Sequence, residues 1–438
     1  MSDAASERLG RLATETAAAA AADGPAWLGD LRIAAAGHFA EQGLPHAKLE
    51  EWRYTSTKPL AAHDFAPATP TPESVDRAAL EALSFPVYAC SLYVFVNGFF
   101  SPELSAPKAL SGKVRAESLA ASPAESLGQL VDTKLHPLAA LNTACFRDGA
   151  QLVIPAGIRL EQPIHVVFLA TGSANEPTTS FPRLLVDAGA GSHARVIVDH
   201  VSLGEGPHWT NSVAEATLRA NAELEVAIVQ REQREVVHSS LVAARLDRDA
   251  RLSAHTLTLG GAWVRNDLAI LLAGPGAECH LNGLFLGTGE RLVDNHSMVD
   301  HAVPHCSSHQ LYKGVLDDRS RGVFRGRVLV RPDAQKTDAQ QSNPNLILGD
   351  GAEIDTKPQL EIHADDVKCS HGSTIGRLDE DALFYLRARG LGEPAARRLL
   401  TRAFAAEILD RIGEPALAES LGQLLQERLH LDAPGATA

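Results

Sequence analysis

A turn signal recurs at regular spacing through the middle of the chain. Small turns that contain Gly, Asn or Asp stand at residues 188–192, 219–223, 247–251 and 274–278. They are separated by about 27 to 31 residues, a length that suits a unit supplying strands to a stacked, solenoid-like sheet. Short β-rich segments lie between them. The spacing favours a mainly β fold with a β-helix as the leading architecture, while a sandwich or a closed barrel would also give many short strands.

Both ends of the chain have helical character. The first stretch, to about Leu60, is Ala-rich and compatible with helices, with a break at residues 23–25. Residues 66–72 are rich in Pro and predict a linker. A strand-like run at residues 92–98 then ends in a turn signal. We therefore predict an N-terminal helical region with linker at 1–88, a β core at 89–378 and a C-terminal helical domain at 379–438.

The C-terminal segment carries clear helix signals. Asp379 is a candidate N-cap for a helix that includes Phe384, and Pro394 suits the start of a second helix. Along that second helix an apolar residue recurs every four positions, at Ala396, Leu400, Phe404, Ile408 and Ile412. Such a stripe either packs within its own chain or forms a docking surface for another protein.

Composition excludes several classes of function. The net charge of −14, without a long run of Lys and Arg, argues against a nucleic-acid partner. No segment has the roughly 18 to 20 apolar residues of a membrane-spanning helix. The five cysteines are scattered without a CxxC pair, which argues against a disulfide framework or a zinc-ribbon site. The P-loop, dinucleotide-binding and GxSxG motifs are missing from the sequence.

Two polar segments could carry chemistry. The first contains His296, His301, His305, Cys306 and His309, whose donors suit a transition metal. Their spacing matches no metal motif of defined geometry, and Pro304 predicts an interruption between strands. This segment motivates an alternative function, a stand-alone β-helix or cupin-like metalloenzyme. Hydrogen-bonded histidines in a β wall explain the same pattern without a metal.

The second segment places Cys369 two residues before His371. On a strand both side chains project from one face, while Ser370 projects from the other. A thiol beside an imidazole can have a lowered pKa and present a thiolate to sulfur or iron. A buried cysteine and a satisfied histidine need no function, and two ligands are too few to hold a cluster.

Several long motifs give the chain a family resemblance. Residues 312–317, 323–326, 333–342 and 357–372 resemble, in order, the SufB/SufD family of iron–sulfur cluster assembly proteins. The likeness extends to residues 50–55, 96–98 and 383–390, so it spans most of the chain. The Lys368–Gly372 motif is similar to that of the SufD branch. A SufB-like paralogue that assembles clusters as a homodimer stays open, although the chain lacks paired N-terminal cysteines.

The resemblance implies a fold and a set of partners. The fold would be a right-handed parallel β-helix flanked by N- and C-terminal helical domains. The chain would pair with SufB through the β-helix and bind the SufC ATPase through residues 379–430, where Phe384, Leu400, Phe404 and Ile408 are docking candidates. A homodimer of the isolated chain stays open. The resemblance further implies a cytoplasmic, non-catalytic scaffold subunit with neither nucleic acid nor membrane as a partner.

The same resemblance assigns a role to the CxH pair. His371 would be a candidate iron or cluster ligand at the seam with SufB, with Cys369 beside it. The isolated chain would hold no stable cofactor, and iron or a nascent cluster would bind only transiently at that seam. A reduced flavin is linked to such complexes, and the sequence contains no flavin motif. In the alternative metalloenzyme, a metal would be held by His301, His305, Cys306 and His309.

Overall fold

The structure is a computed structural model that describes residues 2–70, 75–83, 85, 90–110, 113–172 and 176–428. Its helices are α1 (Ser2–Ala20), α2 (Ala26–Gln42), α3 (Lys58–Ala61), α4 (Arg77–Leu83), α5 (Pro137–Cys145), α6 (Glu380–Ala388), α7 (Glu393–Leu409) and α8 (Pro415–Arg428), with a 3₁₀ turn at Glu50–Trp52.

The strands up to the middle of the chain are β1 (Ala66–Pro67), β2 (Ser91–Val96), β3 (Phe99–Phe100), β4 (Arg115–Ser118), β5 (Ala150–Ile154), β6 (Ile164–Thr171), β7 (Thr178–Ser180), β8 (Arg183–Ala188), β9 (His193–Leu203), β10 (His208–Leu218) and β11 (Glu223–Gln230). The remaining strands are β12 (Val236–Leu246), β13 (Arg251–Thr258), β14 (Trp263–Leu272), β15 (Glu278–Gly287), β16 (Leu292–His301), β17 (Ser307–Leu316), β18 (Arg321–Val330), β19 (Asp338–Ile347), β20 (Glu353–Thr356), β21 (Gln359–Ile362) and β22 (Lys368–Gly376).

From β8 to β20, successive strands alternate between two sheets. Sheet A runs in the order β20-β18-β16-β14-β12-β10-β8-β5-β4, and sheet B runs β22-β19-β17-β15-β13-β11-β9-β6-β2-β3. Every ladder from β8 to β22 is parallel and in register, so each coil stacks directly on the one before. This arrangement is a parallel β-solenoid. It confirms the predicted mainly β fold and excludes the sandwich and the closed barrel.

The recurring turns form a column along one edge of the solenoid. Gly191, Asn221 and Asp249 have φ values of 66°, 58° and 55°, and Gly276, His305 and Lys336 repeat this left-handed conformation in later coils. Neighbouring turns are also joined by backbone hydrogen bonds, such as that from the Asn221 amide to the Arg248 carbonyl oxygen at 2.9 Å. Because Gly, Asn and Asp adopt this conformation most readily, the spacing of these residue types in the sequence marks the length of one coil.

Helices cover the outer face of each sheet. Trp209, Val237 and Trp263 of sheet A are buried against α1, α2 and α5. Residues 50–57, here called the strap, cross the same face, where Trp52 stacks on the Arg265 guanidinium at 4.2 Å. Arg265 also donates to Asp294 at 2.7 Å, which joins the strap to the middle coils.

The C-terminal helices pack on sheet B. Asp379 caps α6 by accepting hydrogen bonds from the amides of Asp381 and Ala382, as the sequence predicts. The apolar residues of α7 and α8 join one core with outward-facing residues of sheet B, including Leu257, Leu284 and Val315. The solenoid is therefore enclosed between an N-terminal and a C-terminal helical layer.

Three local predictions need correction. The helical pattern ends at Gln42, and residues 43–57, which include the strap, contain only the short 3₁₀ turn. Within the predicted linker, Ala66 and Pro67 form β1, which pairs with Thr178 and Thr179, while residues 71 and 72 lie outside the described residues. Helix α5 lies inside the range predicted as β core.

In the part of the chain that is described, no helix is both long and apolar enough to cross a membrane.

Substitution at Asn221 tests the turn column. A β-branched residue is strained at positive φ, so Asn221→Val is expected to lower the free energy of unfolding by about 1–2 kcal/mol. Asn221→Gly tolerates the conformation and is expected to stay within about 1 kcal/mol of the wild type. Urea unfolding compares the three proteins. Equal stability of the Val and Gly variants would contradict the role given to the positive φ.

Candidate functional site

The C-terminal end of the solenoid is open. Strand β22 is the last strand of sheet B and pairs with β19, and among the described residues no further strand stacks on its other edge. Eight of its nine residues are exposed and the ninth, Cys369, is half-buried. Sheet A ends beside it with the short strands β20 and β21, both paired to β18. Interior positions of the last coil therefore face solvent.

Cys369 and His371 both lie on the interior-facing side of this last strand. Cys369 pairs with Ala339 and His371 pairs with Gln341, and both of these β19 residues are buried inside the solenoid. The register agrees with the predicted common face, and it pairs Ser370 with the exposed Gln340 on the other face. The two side chains thus form the outermost layer of interior columns that run along the solenoid.

The thiol of Cys369 differs from the sequence expectation. Burial raises its pKa above the ordinary value and the Asp338 carboxylate adds to the rise, opposed by a hydrogen bond from the Ala339 backbone. In the isolated chain the pKa of Cys369 therefore shifts upward, opposite to the lowering that a neighbouring imidazole can cause.

The interior beneath His371 is polar. Gln341 is buried, yet neither its amide oxygen nor its amide nitrogen has a hydrogen-bond partner among the described residues. One coil deeper, Gln310 accepts a hydrogen bond from Ser297 at 2.6 Å. The side-chain amide of Gln341 packs against Gly326. A Cβ atom added at Gly326 would lie 2.6 Å from the Nε2 atom of Gln341. His371, Gln341 and Gln310 thus form a polar column that ends at the open coil.

Gln341 is a residue that the sequence analysis did not single out. Its only sequence signal is a polar amide at an inward position of a strand, which requires the register to recognise. Unpartnered buried amides are uncommon because each costs about 1–3 kcal/mol. The amide can both donate and accept hydrogen bonds, so it can orient a group held by His371.

The histidines of the first polar segment are dispersed over different environments. His296 lies on the outer face of sheet A and bonds to Asp294 at 2.9 Å. His301 is buried inside and bonds to Ser308 at 2.9 Å. His305 occupies a left-handed turn position with φ 64°. The predicted interruption at Pro304 is therefore present, since residues 302–306 connect β16 to β17.

The remaining members of that segment also have separate neighbours. Cys306 is buried, with its thiol 3.4 Å from the Gly274 carbonyl oxygen, and His309 stacks on His280 at 5.1 Å on sheet B. Over the described ranges, no three His, Cys, Asp or Glu side chains are grouped so that they could hold a metal ion. The geometry therefore gives the alternative metalloenzyme no assembled site there.

The C-terminal docking candidates differ in accessibility. Phe384 on α6 is 74% exposed, with Tyr385 and Leu399 also exposed. Leu400 and Phe404 are half-buried against the core that α7 shares with sheet B. Ile408 is fully buried in that core, so its assignment to a docking surface is corrected. Most of the stripe holds α7 on the solenoid, and the free surface is centred on Phe384.

Thiol labelling tests the environment of Cys369. Cys369 and Cys90 are half-buried, whereas Cys145, Cys279 and Cys306 are buried. Burial raises the pKa of Cys145 to about 12 and also raises that of Cys279. We expect iodoacetamide to label Cys369 before these three, at a rate that rises about tenfold per unit through pH 7 to 8.5 because only the thiolate reacts. Peptide mass spectrometry follows each site. A pH-independent rate at Cys369 would contradict the raised pKa.

Comparison with known proteins agrees with the sequence resemblance. Residues 168–404 match the family model for the SUF system FeS cluster assembly SufBD core domain, and residues 4–166 match that for the SufBD protein N-terminal region. Together these two matches span most of the chain.

Several related proteins align with this chain over most of their own length. The chain is 36% identical to an iron–sulfur cluster assembly SufBD family protein of Synechocystis, over 87% of this chain and 86% of the relative. It is 32% identical to the iron–sulfur cluster assembly protein SufD of Escherichia coli over 88% and 90% of the two chains. SufD of Bacillus subtilis is 23% identical over 92% and 94%. The chain therefore belongs to the SufBD family of iron–sulfur cluster assembly proteins.

Proposed function

We propose that this chain is a SufD-like scaffold subunit whose open solenoid end pairs with SufB and supports the formation of a nascent iron–sulfur cluster. The observation that carries this proposal is the uncovered last coil. Strand β22 offers a backbone edge, and Ile375 within it is 56% exposed. Edges of this kind are covered in stable proteins or complexes, usually by another strand. A second solenoid would continue the ladder and enclose the interior columns.

The cluster site would form where the two solenoids meet. His371 and Cys369 supply imidazole and thiol donors of the kinds that bind iron and iron–sulfur clusters. Two donors hold neither a cluster nor an iron ion securely, so the partner would supply the rest. Covering the site would also bring the unpartnered Gln341 amide next to whatever His371 binds. Iron and sulfide are cargo in this proposal, and the chain itself catalyses no turnover.

The SufC ATPase would bind the C-terminal helices. Phe384 and Tyr385 of α6 and Leu399 of α7 are exposed and offer apolar contacts to a partner. Lys313 of β17 fastens α7 to the sheet, since its ammonium group donates to the Phe404 carbonyl oxygen at 2.9 Å and pairs with Glu407 at 2.5 Å. A displacement of α7 by an ATP-driven partner would thus act on the sheet that ends in β22.

Several further features are part of the same proposal. Whether the isolated chain forms a homodimer through the open end stays open. A reduced flavin would act at the level of the complex. A cytoplasmic location and the lack of a stable cofactor in the isolated chain stay predictions.

The site is tested by co-expressing this chain with its organism's SufB and SufC and purifying the complex by a tag on this chain. His371→Ala is expected to retain both partners but to lose most of the iron and sulfide bound after anaerobic reconstitution, because the imidazole ligand is gone. His309→Ala serves as the matched control, since His309 lies on the outer face of sheet B.

The outcomes separate the two candidate functions. Failure to retain either partner with the wild-type chain would contradict the scaffold role. Normal clusters in His371→Ala would contradict the site assignment. If the isolated chain instead held tightly bound metal that His309→Ala removed, the alternative metalloenzyme would be supported.

The SufC surface is tested by Phe384→Asp in the same co-purification. A carboxylate placed in an apolar interface is expected to weaken SufC retention strongly while SufB is retained, because the desolvated charge has no partner. Leu135→Asp is the control, since Leu135 is 72% exposed on the opposite, N-terminal side of the molecule. Equal retention of SufC by both variants would contradict this docking surface.

A further inference from the structure

Three successive corners between sheet B and sheet A stack on one another. They comprise residues 231–235, 259–262 and 288–291. The Gly261 amide bonds to the Glu232 carbonyl oxygen at 3.1 Å, and the Leu292 amide bonds to the Ala262 carbonyl oxygen at 3.0 Å. Neighbouring corners are therefore about 4.8 Å apart, the spacing of paired strands. Side chains from all three can reach a common point on this edge.

Three arginines converge on these corners, and we call them the arginine corner: Arg234, Arg291 and Arg428. Arg234 belongs to the first corner, and its side chain reaches the third. There its Nη2 atom lies 3.0 Å from the point that a Cβ atom would occupy at Gly289. Arg291 belongs to that third corner. Arg428 ends α8 and donates from Nη1 to the Leu259 carbonyl oxygen of the middle corner at 2.7 Å.

The charges of the arginine corner are not neutralised in the described part of the chain. None of the three guanidinium groups lies within 4.0 Å of a described carboxylate. The neighbouring Arg231, by contrast, pairs with Asp199 at 2.7 Å. These arginines lack a carboxylate partner among the described residues although Asp and Glu outnumber Lys and Arg in this chain of net charge −14.

Burial and mutual repulsion act on these groups together. Arg291 and Arg428 are half-buried. Burial lowers the pKa of Arg291 and repulsion from Arg428 and Arg234 adds to the effect, while Glu235 opposes it. Burial also lowers the pKa of Arg428, with repulsion from Arg231 and opposition from Glu427. Both arginines stay charged at pH 7, so the fold holds like charges close together at a cost.

We propose that the arginine corner is a binding site for a phosphate-bearing small ligand. A compact anion of two or more charges would neutralise the repulsion, and guanidinium groups present paired N–H donors that match phosphate oxygens. The three groups come from two coil corners and the end of α8, so the bound ligand would also join α8 to the solenoid. The site is separate from Cys369 and His371 and does not depend on the proposed function.

Isothermal titration calorimetry of the purified full chain with pyrophosphate tests the proposal. The wild type is expected to bind, with affinity that falls as NaCl is added, because salt screens the attraction. Arg291→Gln and Arg428→Gln are each expected to weaken binding about tenfold, since each removes a charge-assisted hydrogen bond. Arg248→Gln is the control, because Arg248 is an exposed arginine of the turn column that pairs with its neighbour Asp249.

Each result of the calorimetry either supports or contradicts the proposed site. No binding by the wild type, or equal weakening by all three variants, overturns the proposal. Circular dichroism confirms that the variants are folded, and the conservative Arg291→Lys is expected to retain more affinity than Arg291→Gln. A chain shortened after Arg428 should bind as the full chain does. Binding only after this shortening would show that the chain's own carboxylates fill the corner, which contradicts an external phosphate ligand.

Discussion

The parallel backbone ladder between successive coils is the interaction on which the rest of this structure depends. Each strand in the middle of the solenoid has its hydrogen-bonding groups satisfied by one coil on either side. The left-handed turn position recurs once in each of these coils, and the register continues from one coil to the next. A ladder of this kind has two ends. Here the C-terminal end is uncovered at β22 within the described chain, and the candidate site lies there.

Two helical layers determine which surfaces of the solenoid stay free. The N-terminal helices and the strap cover sheet A, where Arg265 connects Trp52 with Asp294. The C-terminal helices cover sheet B through a shared apolar core. With both faces covered, the exposed interior at Cys369 and His371 is the part of the solenoid best placed to complete a site with a partner. Lys313 links the helical layer that faces a proposed ATPase to that same sheet.

Much of the fold could be predicted from the sequence because its signals are local. The turn spacing predicts coil length, since only a few residue types favour positive φ, and Asp379 caps its helix as expected. The site was harder to predict. The face shared by Cys369 and His371 follows from strand alternation, but the pKa of the thiol depends on burial, which one strand does not reveal. The burial of Ile408 depends on tertiary packing, because the same apolar stripe can face inward or outward. The unpartnered amide of Gln341 can be recognised only from the register of three successive coils.

Hydrogen exchange at β22 tests most directly whether the open end is completed by a partner. The Lys368 amide bonds to the Thr337 carbonyl oxygen, so ladder alternation turns the amides of Cys369, His371 and Ser373 toward the free edge. In the isolated monomeric chain these three amides should exchange rapidly, and in a complex with SufB they should become strongly protected. If the complex forms while these amides exchange as fast as in the monomer, the partner binds elsewhere and the account of the open end is contradicted.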